Sequence, residues 1–345
     1  MIYVVLLILF AILSIMAVID NRRKKYYYII SLSLILLASL RDGVGTDWKS
    51  YYNFYIYGAS DIEVGYATLN NFFSAQGFSF NFFLLIVNVL SIFLISRGTL
   101  KLSAIPAISL MIYFSDLYLY FNFSGMRQAI ALSFSIYSLT FCIGKKRNIY
   151  LFLIVLLCAI SFHISAIVFA IAYFVPQRSL NKKEIIFLII GFTFFSSLVF
   201  FASSFLTGLF ASKAEYYLEI EQQSSDIKSL FIIGIFRRLI PLVVLFIFSK
   251  KYIFKDSTSV YLFNLYLIGL GIYLTTYLIS PDVGVRLSVY FTVLEMFLLA
   301  NLVFFAKKFQ IKVILLLIIF SLCSYKLSTY FKYPAYEYKS IIEGM

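Results

Sequence analysis

The residues best suited to chemistry crowd into Arg41-Asp42-Gly43-Val44-Gly45-Thr46-Asp47-Trp48, with Tyr51 and Tyr52 just behind. An arginine, two aspartates and three aromatics share a short polar stretch that follows an apolar run, and two glycines allow the backbone to turn tightly. At a membrane edge this cluster reads either as a site or as a helix-end anchor, with Arg and aromatics at the headgroups. Further arginines stand where the bilayer penalises them or where orientation rules predict few. Arg237-Arg238 interrupts the apolar run 230–249 near its middle, just before Pro241. A mid-helix Arg costs about 2.5–3.5 kcal/mol on insertion scales, so it faces a cavity or a partner. That partner is either a buried acid such as Glu295 or an anionic ligand. Arg127 and Arg286 each open a helix after a polar turn, and with Arg41 they place guanidiniums near one membrane face. A guanidinium keeps its charge at physiological pH and offers a planar fork of donors that suits phosphate oxygens. A lipid diphosphate at the outer leaflet would need such a set.

Three side chains compete as general base: Asp47, Glu63 and His163. His163 is the only histidine, and an imidazole titrates close to neutrality. It cannot build an imidazole-type metal site alone. Asp42, Asp47 and Glu63 are a weaker grouping for a divalent cation, because no loop spacing enforces it. No cofactor or metal is expected. The three cysteines offer neither a disulfide framework nor metal spacing.

The elements that must hold these residues are membrane helices. The chain has 345 residues, 62% hydrophobic and 13% charged, and its apolar runs approach the roughly 20 residues that cross the hydrocarbon. The predicted fold is all-α: a single polytopic transmembrane domain over 1–345, with about twelve helices (range ten to thirteen), some short or broken. They fall near 2–19, 26–40, 81–96, 102–120, 128–143, 149–161, 164–176, 184–205, 230–249, 258–279, 287–305 and 311–327. The first is read as a retained helix, not a signal peptide. The net charge of +13 does not signal nucleic acid. It sits in short basic clusters between apolar runs, as the positive-inside rule requires, and puts both termini outside.

Between 149 and 176 an even number of crossings is needed, and two short helices meeting at Ser161-Phe162-His163-Ile164-Ser165 satisfy this. One long tilted helix is the alternative. Broken helices in membranes tend to line cavities. Two external loops are expected, 41–80 and 206–229. The first should lie on the membrane surface or fold back over the bundle. In the second, Glu215, Glu219 and Glu221 at helical spacing fit a lid and a solvated helix equally.

Taken in order, several pieces make the chain resemble the EpsG family of Wzy-like polysaccharide polymerases. They are Arg41 to Asp47 with Tyr51, Glu63-Val64-Gly65-Tyr66, Arg127-Gln128-Ala129-Ile130-Ala131, Ser161 to Ala166, Val285 to Phe291, and the tail Tyr336-Glu337-Tyr338-Lys339-Ser340. Trp48 stands where Tyr or Phe is expected, and Pro334 is displaced by one residue from Tyr336. The resemblance implies a glycosyltransferase in the bacterial inner membrane that makes O-antigen, capsule or exopolysaccharide. It would move a glycan from undecaprenyl diphosphate onto the next lipid-linked repeat unit at the outer face. Its partners would be that lipid-linked oligosaccharide, the bilayer, and a chain-length regulator and flippase of the same pathway, with no nucleic acid. On this reading Arg41, Arg127, Arg237, Arg238 and Arg286 bind the diphosphate. Asp47, His163 or Glu63 takes the acceptor proton, and Tyr52, Tyr66 and Tyr290 contact sugars. The alternatives are a flippase or transporter of lipid-linked oligosaccharide, and a polysaccharide ligase.

Overall fold

Hydrocarbon offers no partner to a backbone N–H or C=O, so an apolar chain in a membrane must satisfy them within helices. The computed structural model describes residues 1–20, 23–58, 62–144, 146–209, 227–252 and 256–344. The chain is an all-α, multi-pass membrane protein. Among the described residues, seven helices are long and apolar enough to span a bilayer. The 206–229 loop, with its three glutamates, lies outside the described residues except at its ends.

The chain divides into two compact units, one of residues 1–174 with 296–345 and one of residues 175–295. In the first, α1 (Ile2–Ile19) packs on α2 (Arg23–Ser39), and α2 packs on α5 (Phe80–Leu102). Between them in sequence lie the short α3 (Trp48–Tyr57) and α4 (Val64–Ala75). The short helix α6 (Pro106–Tyr113) continues as a π-helix over Phe114–Ser124, followed by α7 (Met126–Ser138) and α8 (Ile149–Phe162). Gly98 lets α5 approach α7, since a Cβ there would stand 2.6 Å from Cγ2 of Ile136. Across the same contact Ser91 and Ser133 share a hydrogen bond of 2.9 Å. Asn122 of the π-helix extends this buried network, accepting from the Tyr113 hydroxyl (2.6 Å) and donating to Asn88 (3.2 Å).

Sequence boundaries shift where polar residues are absorbed into helices. The third expected span runs on to Leu102, with Arg97 laid over the Phe93 ring and Lys101 over that of Phe141. At 149–176 the structure has the break, not one long helix. α8 stops at His163, whose backbone is extended (φ −159°), and a 3₁₀ segment covers Ile164–Phe174. The two halves pack together, with Phe152 and Tyr173 rings 5.5 Å apart.

The second unit holds α9 (Lys182–Leu209), α10 (Ile227–Tyr252), α11 (Ser257–Thr276) and α12 (Pro281–Thr292). Gly269 permits close packing of α11 on α12, because a Cβ would meet that of Phe291 at 2.6 Å. The chain then returns to the first unit through α13 (Glu295–Phe305) and α14 (Phe309–Ser328), ending in 3₁₀ turns at Thr329–Lys332, Pro334–Tyr336 and Ile341–Gly344. Lys326 of α14 donates to Asp116 of the π-helix at 2.8 Å, a buried ion pair that sequence reasoning had passed over.

Candidate active site

The cluster at 41–48 is held by residues from far along the chain. Leu40 accepts from the Ile341 amide (3.0 Å), and Asp42 donates to Lys339 (2.9 Å), framing a bridge between Arg41 and Ser340. Gly45 donates to the Ala335 carbonyl (2.8 Å), and Thr46 N–H to Oγ of Ser124 (3.0 Å). That hydroxyl also shares a 3.1 Å hydrogen bond with Tyr336. Gly45 has φ +114°, and a Cβ there would collide with the Phe123 carbonyl. Both facts restrict the position to glycine. The tail thus clamps the loop onto the turn that precedes Arg127.

Arg41 is completely buried beneath this clamp. It donates to the carbonyls of Ala38 (2.8 Å) and Phe123 (3.2 Å), touches Sδ of Met126 (3.3 Å), and lies over the Phe123 ring. Burial lowers its pKa to about 10, against neighbouring tyrosines that raise it, so it stays charged at neutral pH. The sequence reading places this guanidinium on a diphosphate; in the structure its terminal nitrogens reach helix-end carbonyls and a sulfur.

Glu63, Arg127 and His163 meet. Glu63 precedes α4, Arg127 lies in the first turn of α7, and His163 fills the break after α8. One carboxylate oxygen pairs with Arg127, and the other lies 2.5 Å from Nδ1 of His163. Burial alone would raise the Glu63 pKa, but the His163 hydrogen bond and the Arg127 charge hold it at about 2. Nε2 of His163 has no hydrogen-bond partner among the described residues. Beneath them the Tyr51 hydroxyl accepts from the Arg127 amide (3.4 Å), and Tyr51 packs against Tyr66 with centroids 5.4 Å apart. Burial raises the Tyr51 pKa, with Arg127 opposing. Gly65 lets α4 touch the end of α8, since a Cβ would stand 2.6 Å from Oγ and 2.8 Å from O of Ser161.

Asp47 precedes α3 at the surface without a capping side-chain bond, and its described hydrogen bond comes from the Thr46 hydroxyl (3.0 Å). It is not joined to the Glu63 group. Tyr52 is exposed and stacks on Trp48, with centroids 5.3 Å apart and planes at 6°, beside Phe80. Tyr66 is wholly buried, its hydroxyl lacking a partner, and Tyr290 is wholly buried too. No sugar can reach either ring in this conformation. Among the described residues no three His, Cys, Asp or Glu side chains group as metal ligands, and Glu63 is engaged elsewhere, so the Asp42–Asp47–Glu63 cation grouping does not form.

The family assignment now rests on more than scattered pieces. The sequence matches the EpsG family from residue 24 to residue 340. The chain belongs to the EpsG family. No curated protein and no solved structure matches it. The broad class that goes with EpsG membership is polysaccharide biosynthesis at a membrane. In this EpsG chain the other expected residues lie in the second unit. Arg238 donates to the Gly234 carbonyl (3.0 Å) and lies 3.7 Å over the Tyr273 ring, with Arg237 beside it, half-buried. Arg286 donates through Nε to Asp282 one turn earlier, at 2.7 Å. Sequence reasoning missed Trp48 as the floor of the Tyr52 stack and the tail as a clamp. The tail motif was visible, but nothing local in it names a partner some 300 residues away.

Proposed function

We propose that this protein is a polysaccharide polymerase. It transfers glycan from an undecaprenyl diphosphate carrier onto the next lipid-linked repeat unit at the outer face of a bacterial inner membrane. The observation that carries this reading is the convergence of Glu63, Arg127 and His163 from three separate segments. A carboxylate on Nδ1 fixes an imidazole's tautomer and stabilises its protonated form, leaving Nε2 to accept a proton. His163 is then the general base, and Glu63 its positioning residue. The acceptor hydroxyl attacks the anomeric carbon as its proton passes to Nε2. The bond from that carbon to the phosphate oxygen breaks, and the lipid diphosphate leaves with the electron pair, inverting the centre.

Arg127, partly exposed and adjacent, is the first cation for the departing phosphate. Arg237, Arg238 and Arg286 are proposed as further diphosphate ligands on their chemistry, a fixed charge on a forked donor. Arg41 is assigned a structural role, tying the Ala38 and Phe123 carbonyls together beneath the loop. Tyr52 on Trp48 is the sugar platform, and Asp47 flanks the acceptor. The loops 41–80 and 206–229 and both termini are assigned to the outer side by the distribution of basic residues.

The test is a gel of surface polysaccharide from cells whose only copy carries His163→Ala at normal abundance. Collapse of the ladder to single repeat units, with export intact, supports polymerisation. An unchanged ladder overturns it. Lipid-linked repeats stranded inside favour a flippase, and full-length polymer held on its lipid favours a ligase.

A further inference from the structure

Under the C-terminal tail lies a cavity of about 940 Å³ that the proton-transfer group does not use. Its volume sits at the upper end of the roughly 300–1,000 Å³ typical of ligand pockets. Tyr3, Tyr330, Tyr333, Tyr336 and Tyr338 line it. Three of these rings are fixed by their own hydroxyls. Tyr330 donates to the Asp116 carbonyl (2.5 Å), Tyr338 to the Leu37 carbonyl (3.1 Å), and Tyr336 bonds Ser124. The walls are therefore set before any ligand arrives. The hydroxyls of Tyr3 and Tyr333 have no partner among the described residues. Tyr333 stands at the rim, 57% exposed, beside Phe331 at 52%.

The charge of the lining selects the ligand class. Among the lining side chains the charges of Lys332 and Glu337 offset each other, and no arginine is among them to hold a phosphate. Aromatic faces with phenolic hydroxyls match the C–H faces and hydroxyls of pyranose rings, since such side chains combine an apolar body with a polar tip. The cavity also adjoins the loop that carries Asp47, because Tyr336 and Thr46 share the Ser124 hydroxyl. We propose that this cavity is a glycan subsite, holding sugars of the growing polymer away from the diphosphate and so governing product length. The proposal rests on the polymerase reading for its substrate, but it can fail separately.

The probe is lipid-free oligosaccharide released by mild acid from the surface polysaccharide of the same cells, added to purified full-length protein in detergent. Binding should slow hydrogen exchange across 330–338. Tyr333→Ala should weaken it by about tenfold, the scale of one lost aromatic contact, and shift the cellular ladder to shorter chains. His163→Ala should keep the probe affinity within about twofold of wild type. Absent protection of the tail, or equal affinity in Tyr333→Ala, overturns the subsite even if the His163→Ala ladder collapses. Retained probe binding with an unchanged His163→Ala ladder keeps the subsite and sinks the polymerase chemistry. Because Tyr333 is exposed, its replacement does not endanger the fold. Tyr333→Phe, which removes only an accessible hydroxyl, is the second variant and should also weaken probe binding.

Discussion

Oε1 of Glu63 lies 2.5 Å from Nδ1 of His163, a hundred residues further along the chain. Such a contact orients the ring, and its loss should be felt in turnover. His163→Ala and Glu63→Ala should each lower polymer synthesis by about 10²–10⁴-fold, the usual worth of a positioned general base. Glu63→Gln, which keeps the shape but loses the charge, should retain more activity than Glu63→Ala. In vitro transfer between lipid-linked units checks both.

The same carboxylate makes stability depend on acidity in a defined sense. Its pKa falls from the ordinary 4.5 to about 2 in the folded protein. A group depressed by folding adds stability that is complete above its unfolded value and is lost as pH falls through its folded value. The advantage that the Glu63 charge gives wild type over Glu63→Gln should therefore be complete at about 4.5 and narrow toward 2. Thermal melts of detergent-solubilised protein across this range measure it, and an advantage that does not shrink between about 4.5 and 2 contradicts the pairing.

Gly65→Ala should separate the acid from the imidazole. The new methyl would stand 2.6 Å from one Ser161 atom and 2.8 Å from its backbone oxygen, so α4 must retreat and carry Glu63 with it. Overpacking of this kind costs about 1–3 kcal/mol. Ser161→Ala should not rescue the variant, because the carbonyl remains in place. The ladder gel and a melt of the double variant report the two effects.

Tyr336→Phe removes the bond to Ser124 and should cost about 0.5–1.5 kcal/mol. The amides of Asp42, Gly45 and Thr46 should then exchange faster, while those of α11 are unchanged. Hydrogen exchange with residue resolution reads this directly.

Arg41→Lys should fail in abundance more than in kinetics. A lysine cannot reproduce the fork that reaches Ala38 and Phe123 at once. Immunoblots of membranes should show less protein, whereas the molecules that remain should retain turnover. Full abundance with lost turnover would return Arg41 to the substrate.

What could be read in advance was the chemistry of short stretches. A polar interruption in an apolar run marked the break at His163. A helix beginning at a polar turn marked Arg127. Pairing over long distances was not legible: no pattern near Glu63 names His163, and none in the tail names Leu40. Burial misled for Arg41, Tyr66 and Tyr290. Arg41 reads in sequence as a diphosphate ligand or a helix-end anchor, but carbonyls at two helix ends draw it inside. Aromatics make up 20% of the chain, so no contrast separated the exposed Tyr52 from the buried Tyr66.

The bridge between Arg41 and Ser340 also sets an order of events during biosynthesis. The ribosome delivers Arg41 long before Ser340, and the membrane helices between them have by then been handed to the bilayer. Insertion must therefore precede closure of the loop over Arg41. A nascent chain arrested before the tail emerges can have the intervening helices inserted yet lack a finished loop, so the cell acquires this part of the structure only once synthesis has passed Ser340.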